Sequence, residues 1–168
     1  MNLKTICLAL SLAAAGLGHA QGILDNPDWK ESEVPPPPSF DLTKLLTFEA
    51  SPGSSLVYGV DPATVSISKS DSLVRYVIVA TGPSGAKNIL YEVLRCATGE
   101  AKTYARYIPE GRWQAVKNAE WRSVYGSNPS QHALRFAKAG ACDSAAPVGS
   151  VKELVNKLKN YNAHSNAN

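Results

Sequence analysis

The chain is poor in the side chains that bind metals or move protons near neutral pH. It carries three histidines and three cysteines in 168 residues. His19 sits in the N-terminal apolar segment and His164 in a polar tail, which leaves His132 as the histidine of the folded body. One histidine with neither a cysteine pair nor a patterned set of carboxylates beside it does not make a metal site. No metal and no cofactor are therefore expected, and His132 reads as a partly buried helix residue. Charge of one sign is scarce too. A formal net charge of +3 is too mild for the concentrated basic footprint of a nucleic-acid binder, so no nucleic-acid partner is expected. Long apolar runs are also missing. The one from Ile6 to Leu17 falls well short of the roughly 20 residues that cross a bilayer as a helix.

That short run has another reading. Lys4 precedes it, and small residues follow it at Gly18 and Ala20. This is the layout of a Sec-type secretory signal peptide, with cleavage expected after Ala20 and no transmembrane segment afterwards. Cys7 stands at the start of the run, where it cannot be the acylated cysteine of a lipoprotein. Cleavage leaves Cys96 and Cys142, and two cysteines in an exported chain pair by default because the compartment is oxidising. Closing that loop is worth about 4 kcal/mol in the chain-entropy description. It also removes the free thiol that a Cys-His nucleophile would need.

Residues 21–39 begin acidic, with Asp25, Asp28, Glu31 and Glu33 against Lys30, and end in the prolines Pro35 to Pro38. Consecutive prolines favour an extended polyproline II segment and cannot join a sheet interior. A stiff, disordered, exposed leader is expected here, although Asp28-Trp29 could dock on the domain. The remainder of the chain then carries the positive excess, which permits a modest preference for an anionic partner.

From Lys44 the pattern changes to short β-branched and aromatic runs: LLTFEA, SLVYGV, TVSIS, LVRYVIVAT, NILYEVLRC and AKTYARYI. Turn residues separate them at Ser51-Pro52-Gly53, Asp61-Pro62, Gly82 to Gly85, Ala97-Thr98-Gly99 and Glu110-Gly111, as hairpins require. Links this short make consecutive strands antiparallel. Helical signals follow. Asn128-Pro129-Ser130-Gln131 offers an N-cap and a proline at the first helical position, Ala133, Leu134, Phe136 and Ala137 form a stripe, and Gly140 terminates it. Ser150 and Glu153 form a capping box before Val151, Leu154, Val155 and Leu158. The expected fold is a single α+β domain over residues 40–160, mainly an antiparallel sheet of about five to six strands with two C-terminal helices, and a disordered tail over 161–168.

Two apparent motifs fail, one on spacing and one on its strand setting. Gly82 to Lys87 reads GPSGAK, but a phosphate-binding loop needs adjacent Gly-Lys followed by Ser or Thr; Ala86 intervenes and Asn88 follows. Ser66 to Lys69 matches S-x-x-K, yet it lies in a strand pattern that points residues three apart to opposite faces. The hairpin around Cys96 is more informative. If Cys96 faces Glu100, Glu92 faces Tyr104, with Lys102 and Arg106 at diagonal positions. Ile89, Tyr91 and Val93 then share the core face with Ala101, Thr103, Ala105 and Tyr107. Glu92, Lys102, Tyr104 and Arg106 share the other, as a salt-bridged solvent face or as a candidate binding patch for an anionic or partner surface. A slip of one residue would exchange the faces. Trp113 and Trp121 bracket a polar segment and are expected to pack over the sheet edge.

The succession Ser84 to Asn88 and Arg95 to Ala105, followed by the spaced tryptophans and QHALRFAKAGAC, resembles the cryptic neisserial protein family, small exported bacterial proteins of unassigned function. The resemblance extends from roughly Phe40 to Cys142, with departures at Val93-Leu94 and around Ala139 to Asp143. It implies an envelope location and a two-cysteine domain; it implies no reaction and no catalytic residue. The resulting expectation is a periplasmic or secreted protein acting as a non-catalytic binding or structural module. Its partner is expected to be an unknown envelope protein or an anionic ligand. The alternative is a periplasmic hydrolase-like enzyme, for which no catalytic residue is assigned.

Overall fold

The computed structural model describes residues 26–49, 54–125 and 131–165. The expected signal peptide, the first residues of the leader and the helix start at Asn128 to Ser130 lie outside the described residues. Among the described residues eight strands form one antiparallel sheet: β1 (Leu46–Glu49), β2 (Val57–Val60), β3 (Ser66–Ile67), β4 (Leu73–Thr81), β5 (Lys87–Arg95), β6 (Glu100–Ile108), β7 (Arg112–Ala115) and β8 (Arg122–Ser123). Their order is β1-β2-β4-β5-β6-β7, with β3 pairing β4 and β8 pairing β6. The sheet thus exceeds the five to six strands expected. The additional ones, β7 and β8, come from the segment around the two tryptophans, which has no alternation long enough to announce a strand. They form because the long β6 offers a free edge whose backbone groups need partners.

The turns follow their chemistry. The β5–β6 turn closes at Gly99, whose φ of 63° lies in the left-handed region and whose missing Cβ leaves room for the Tyr125 ring. Helix α1 (His132–Phe136) runs into a wide π-type turn over Ala137–Ala141. Gly140, with φ 132°, ends that turn against Lys157, again where a side chain would collide. A two-stranded pair, β9 (Cys142–Asp143) and β10 (Ala146–Pro147), leads to helix α2 (Val151–Ser165). Ser150 caps α2 by accepting from the Glu153 amide at 3.2 Å. The backbone of α2 continues to Ser165, into the segment expected to be a disordered tail.

Both faces of the sheet are covered, which explains why β4 is buried along Leu73 to Ala80. On one face Val74, Tyr76, Ile78, Leu90 and Leu94 pack under Phe136 of α1 and Leu154 and Leu158 of α2. Each such large side chain, once buried, contributes about 1.5 to 3 kcal/mol. On the other face Val77, Val79, Ile89, Tyr91 and Ala105 are covered by Phe40, Leu45 and Trp113. The cover here is the leader itself. Residues 26–45, in place of the exposed leader expected, lie across this second face as a strap, because without it a sheet face rich in valine and tyrosine would meet water. Phe40 packs edge-on against Tyr107 and Trp113, with ring centres 5.0 and 5.8 Å away.

Candidate functional site

The β5–β6 hairpin carries a β-bulge, and that bulge decides where every candidate side chain points. Tyr91 pairs with Ala105 but Glu92 pairs with Thr103, so Tyr104 is the extra residue. A bulge interrupts the strict alternation of faces. Ile89, Tyr91, Ala105 and Tyr107 keep the expected pairing beyond it, whereas the part nearer the turn is shifted by one. Lys102 and Tyr104 therefore turn toward the strap, while Glu92, Thr103 and Ala101 turn toward the helices. The four-residue patch read from the sequence is not assembled as one exposed surface. Glu92 is buried beneath α1, Lys102 and Tyr104 are half-buried under the strap, and Arg106 is exposed.

Glu92 is 3% exposed and has a full set of partners. Its Oε2 accepts from Tyr76 Oη at 3.2 Å and meets His132 Nε2 at 2.8 Å; its Oε1 accepts from Thr103 Oγ1 at 3.0 Å. A buried carboxylate persists only when its charge is met in this way. The His132 ring stacks on Tyr58 with centres 5.1 Å apart and planes 12° apart. Burial by itself lowers the pKa of His132, but the adjacent Glu92 charge and hydrogen bond outweigh it, and the net shift is upward. Burial also raises the Tyr76 hydroxyl well above the ordinary phenol range, with Glu92 adding to the effect, so Tyr76 remains a proton donor to the carboxylate.

This cluster forms one wall of a cleft of about 760 Å³, within the size range of ligand pockets. The cleft lies over the end of the sheet nearest the β4–β5 turn, beside His132, Ala133 and Leu134 of α1. Leu56, Leu90, Val116, Val124 and Leu134 supply an apolar lining, and Thr103 and His132 the polar points. Lys87, Arg106, Lys117 and Arg122 stand exposed around it, with Glu120 as the acid among them. None of the ion pairs among the described residues uses Arg106, Lys117 or Arg122. The cleft can therefore receive an apolar body and hold an anionic group at its rim. Among the described residues no cluster of three His, Cys, Asp or Glu side chains is placed to share a metal ion.

Cys96 and Cys142 are joined, with Cα atoms 5.6 Å apart and a sequence separation of 46. The bond ties the end of β5 to the chain just beyond the π-turn, and so fixes the element that carries His132 relative to the strand that carries Glu92. A model of the CNP1-like family matches residues 24–159. The chain belongs to the CNP1-like family. The match agrees with the resemblance to cryptic neisserial proteins and takes in the strap as well as the sheet and helices. No curated protein and no solved structure matches the chain. In this CNP1-like domain no helix among the described residues is long and apolar enough to cross a membrane.

Sequence reasoning grouped Glu92 with Arg106 in one patch but left His132 apart, as a partly buried helix residue. Tyr76, Thr103, Lys117 and Arg122 were missed. Tyr76 and Thr103 look like ordinary strand residues, and only the bulge turns Thr103 toward Glu92. Lys117 and Arg122 lie in a polar stretch whose position over the cleft follows from β7 and β8.

Proposed function

We propose that this CNP1-like chain is an exported envelope protein that binds a small amphiphilic anion in the cleft without transforming it. Export is supported by the N-terminal segment, with its apolar run and small residues before Gln21, and by a disulfide suited to an oxidising compartment. The ligand class rests on one observation: among the described residues the exposed cations Lys87, Arg106, Lys117 and Arg122 ring an apolar-lined cleft of about 760 Å³, against one exposed acid, Glu120, while the buried Glu92 in the wall is already engaged by Tyr76, Thr103 and His132. A chain-like apolar body displaces water from Leu56, Leu90 and Leu134, while a carboxylate or phosphate is held by Arg106 and Lys117, arginine offering the planar fork that such groups match. The posture of His132 favours binding over chemistry. Its ring is stacked on Tyr58 and its Nε2 is engaged by Glu92, contacts that fasten α1 to the sheet.

Calorimetric titration with decanoate tests the reading. Saturable binding is expected, about tenfold or more tighter than that of the neutral decyl glucoside, and about tenfold weaker in the Arg106→Ala/Lys117→Ala chain, a change of about 1.4 kcal/mol. Equal binding of the neutral and charged probes, or undiminished binding in the double variant, overturns it. A hydrolase-like enzyme is the second reading, favoured by the placement of the His132–Glu92 pair in the cleft wall. Turnover of p-nitrophenyl decanoate that disappears in His132→Gln while decanoate still binds decides for that reading.

A further inference from the structure

A second built site lies on the opposite face of the sheet, beneath the strap. Trp29 and Glu31 are partly buried while Asp28 and Lys30 are exposed, the alternation of an extended chain laid on a surface. The Trp29 indole N–H donates to the Asp71 carbonyl at 2.8 Å. Its ring lies edge-on to Trp121 at 5.9 Å, and the Arg95 guanidinium sits 3.6 Å from its centre. Glu31 accepts from both Lys102 Nζ and the Tyr104 hydroxyl. The Ser32 amide and hydroxyl both donate to the Asp71 carboxylate, at 3.1 and 2.5 Å, and Arg75 Nη2 reaches Ser32 Oγ at 3.2 Å.

These contacts are made by side chains and by single backbone groups, not by a strand ladder. Among the described residues, no backbone–backbone hydrogen bond ties residues 30–40 to the sheet. Recognition therefore depends on an aromatic residue, a carboxylate two positions later and a hydroxyl next to it, whichever chain supplies them. The pocket also needs that segment. Asp71 and Arg75 are 2% and 3% exposed, and a buried ion pair is favourable only when its remaining hydrogen-bonding capacity is met. Removing Ser32 takes two donors from Asp71, and removing Glu31 leaves Lys102 without its counter-charge.

We propose that this face is a recognition site for a Trp-x-Glu-Ser segment, filled in cis by residues 29–32 and exchangeable with the strap of a second copy of this chain. The hinge is the exposed stretch Glu33 to Pro36. The polyproline segment holds its extension without a supporting surface, roughly 25 Å between Ser32 and Phe40 at about 3.1 Å per residue, which is the reach available to a released strap. Phe40 remains seated between Tyr107 and Trp113 and anchors the hinge. Exchange of an identical element between copies re-forms the same contacts and is a low-cost route to a dimer. The tethered strap competes at an effective concentration of about millimolar, so at micromolar concentration the intact chain stays closed on itself.

Complementary full-length mature chains remove that competition. Trp29→Ala/Glu31→Ala keeps an empty pocket, and Lys102→Ala/Trp121→Ala keeps a free strap; circular dichroism and the intact disulfide check that each is folded. Each alone is expected to be monomeric at about 10 μM, where cis closure dominates in the wild type. Their mixture is expected to form a one-to-one heterodimer, by size-exclusion chromatography with light scattering. A mixture that stays monomeric overturns the proposal. Should the pocket variant not fold, a labelled peptide of residues 26–40 replaces it. Anisotropy is expected to show this peptide binding the strap variant about tenfold or more tighter than a peptide altered at Trp29 and Glu31; equal binding of the two peptides overturns the proposal.

Discussion

The Glu92 carboxylate and the His132 imidazole meet at 2.8 Å across the boundary between β5 and α1, 40 residues apart in sequence. The pair is the polar join between the sheet and its helical cover, and it forms one wall of the cleft. Glu92→Gln keeps the shape and hydrogen-bonding reach of the side chain but removes the charge that His132, Tyr76 and Thr103 surround. A loss of about 1.5 to 3 kcal/mol is expected, as for hydrogen bonds to charged groups, and urea unfolding at pH 6 measures it. The pH dependence has a defined sign. The pKa of His132 is raised on folding, so its contribution is fully present below the unfolded value of about 6.5 and is lost as pH rises through the folded value. The stability difference between wild type and Glu92→Gln should therefore shrink as unfolding is repeated at increasing pH above about 6.5.

Asp71 and Arg75 make a second buried pair, 2.7 Å apart, on the strap side. Burial raises the Asp71 pKa, but hydrogen bonds from Arg75, Ser32 and Ser68 outweigh it and hold the carboxyl well below the usual range. That contribution is present above the unfolded value near 3.9 and is lost as pH falls through the folded one. Asp71→Asn leaves Arg75 buried without its counter-charge and should cost about 3 kcal/mol at neutral pH. Because Ser32 loses its carboxylate partner, Trp29 should also become more accessible to a fluorescence quencher. Unchanged quenching together with unchanged stability would remove the strap from this network.

The Cys96–Cys142 bond closes a loop with a sequence separation of 46, and its removal should cost about 4 kcal/mol by chain entropy. Cys96→Ala/Cys142→Ala should lower the urea midpoint and steepen the slope with denaturant, because the unfolded chain without the crosslink expands and exposes more surface. Alkylation of the native exported protein should find neither thiol free; two alkylatable thiols would place the chain in a reducing setting and count against export.

Much of the fold was legible because its signals are local. The six runs from LLTFEA to AKTYARYI became β1 to β6, and Ser150 with Glu153 marked the start of α2. β7 and β8 were not legible, since a short strand on the edge of β6 owes its existence to the neighbour it pairs with. The strap was misread for the same reason: Pro35 to Pro38 do dictate an extended chain, but only the opposite surface of Trp121, Lys102 and Tyr104 makes docking favourable. The candidate patch failed at one residue. Nothing in KTYAR distinguishes a regular strand from one in which Tyr104 is extra, and that difference turned Lys102 away from Glu92.

By itself the sequence determined the element types, the antiparallel pairing of consecutive strands and the pair of cysteines left after the apolar segment. These follow from periodicity, turn chemistry and counting, which act over a few residues at a time. Tertiary structure decided which face each charged group occupies. It placed His132 on Glu92, gathered Lys87, Arg106, Lys117 and Arg122 around one cleft and folded the leader onto the sheet. The physical reason is that burying a charge is favourable only when partners from distant parts of the chain arrive together, and the register that brings them together is fixed by packing on both faces of the sheet.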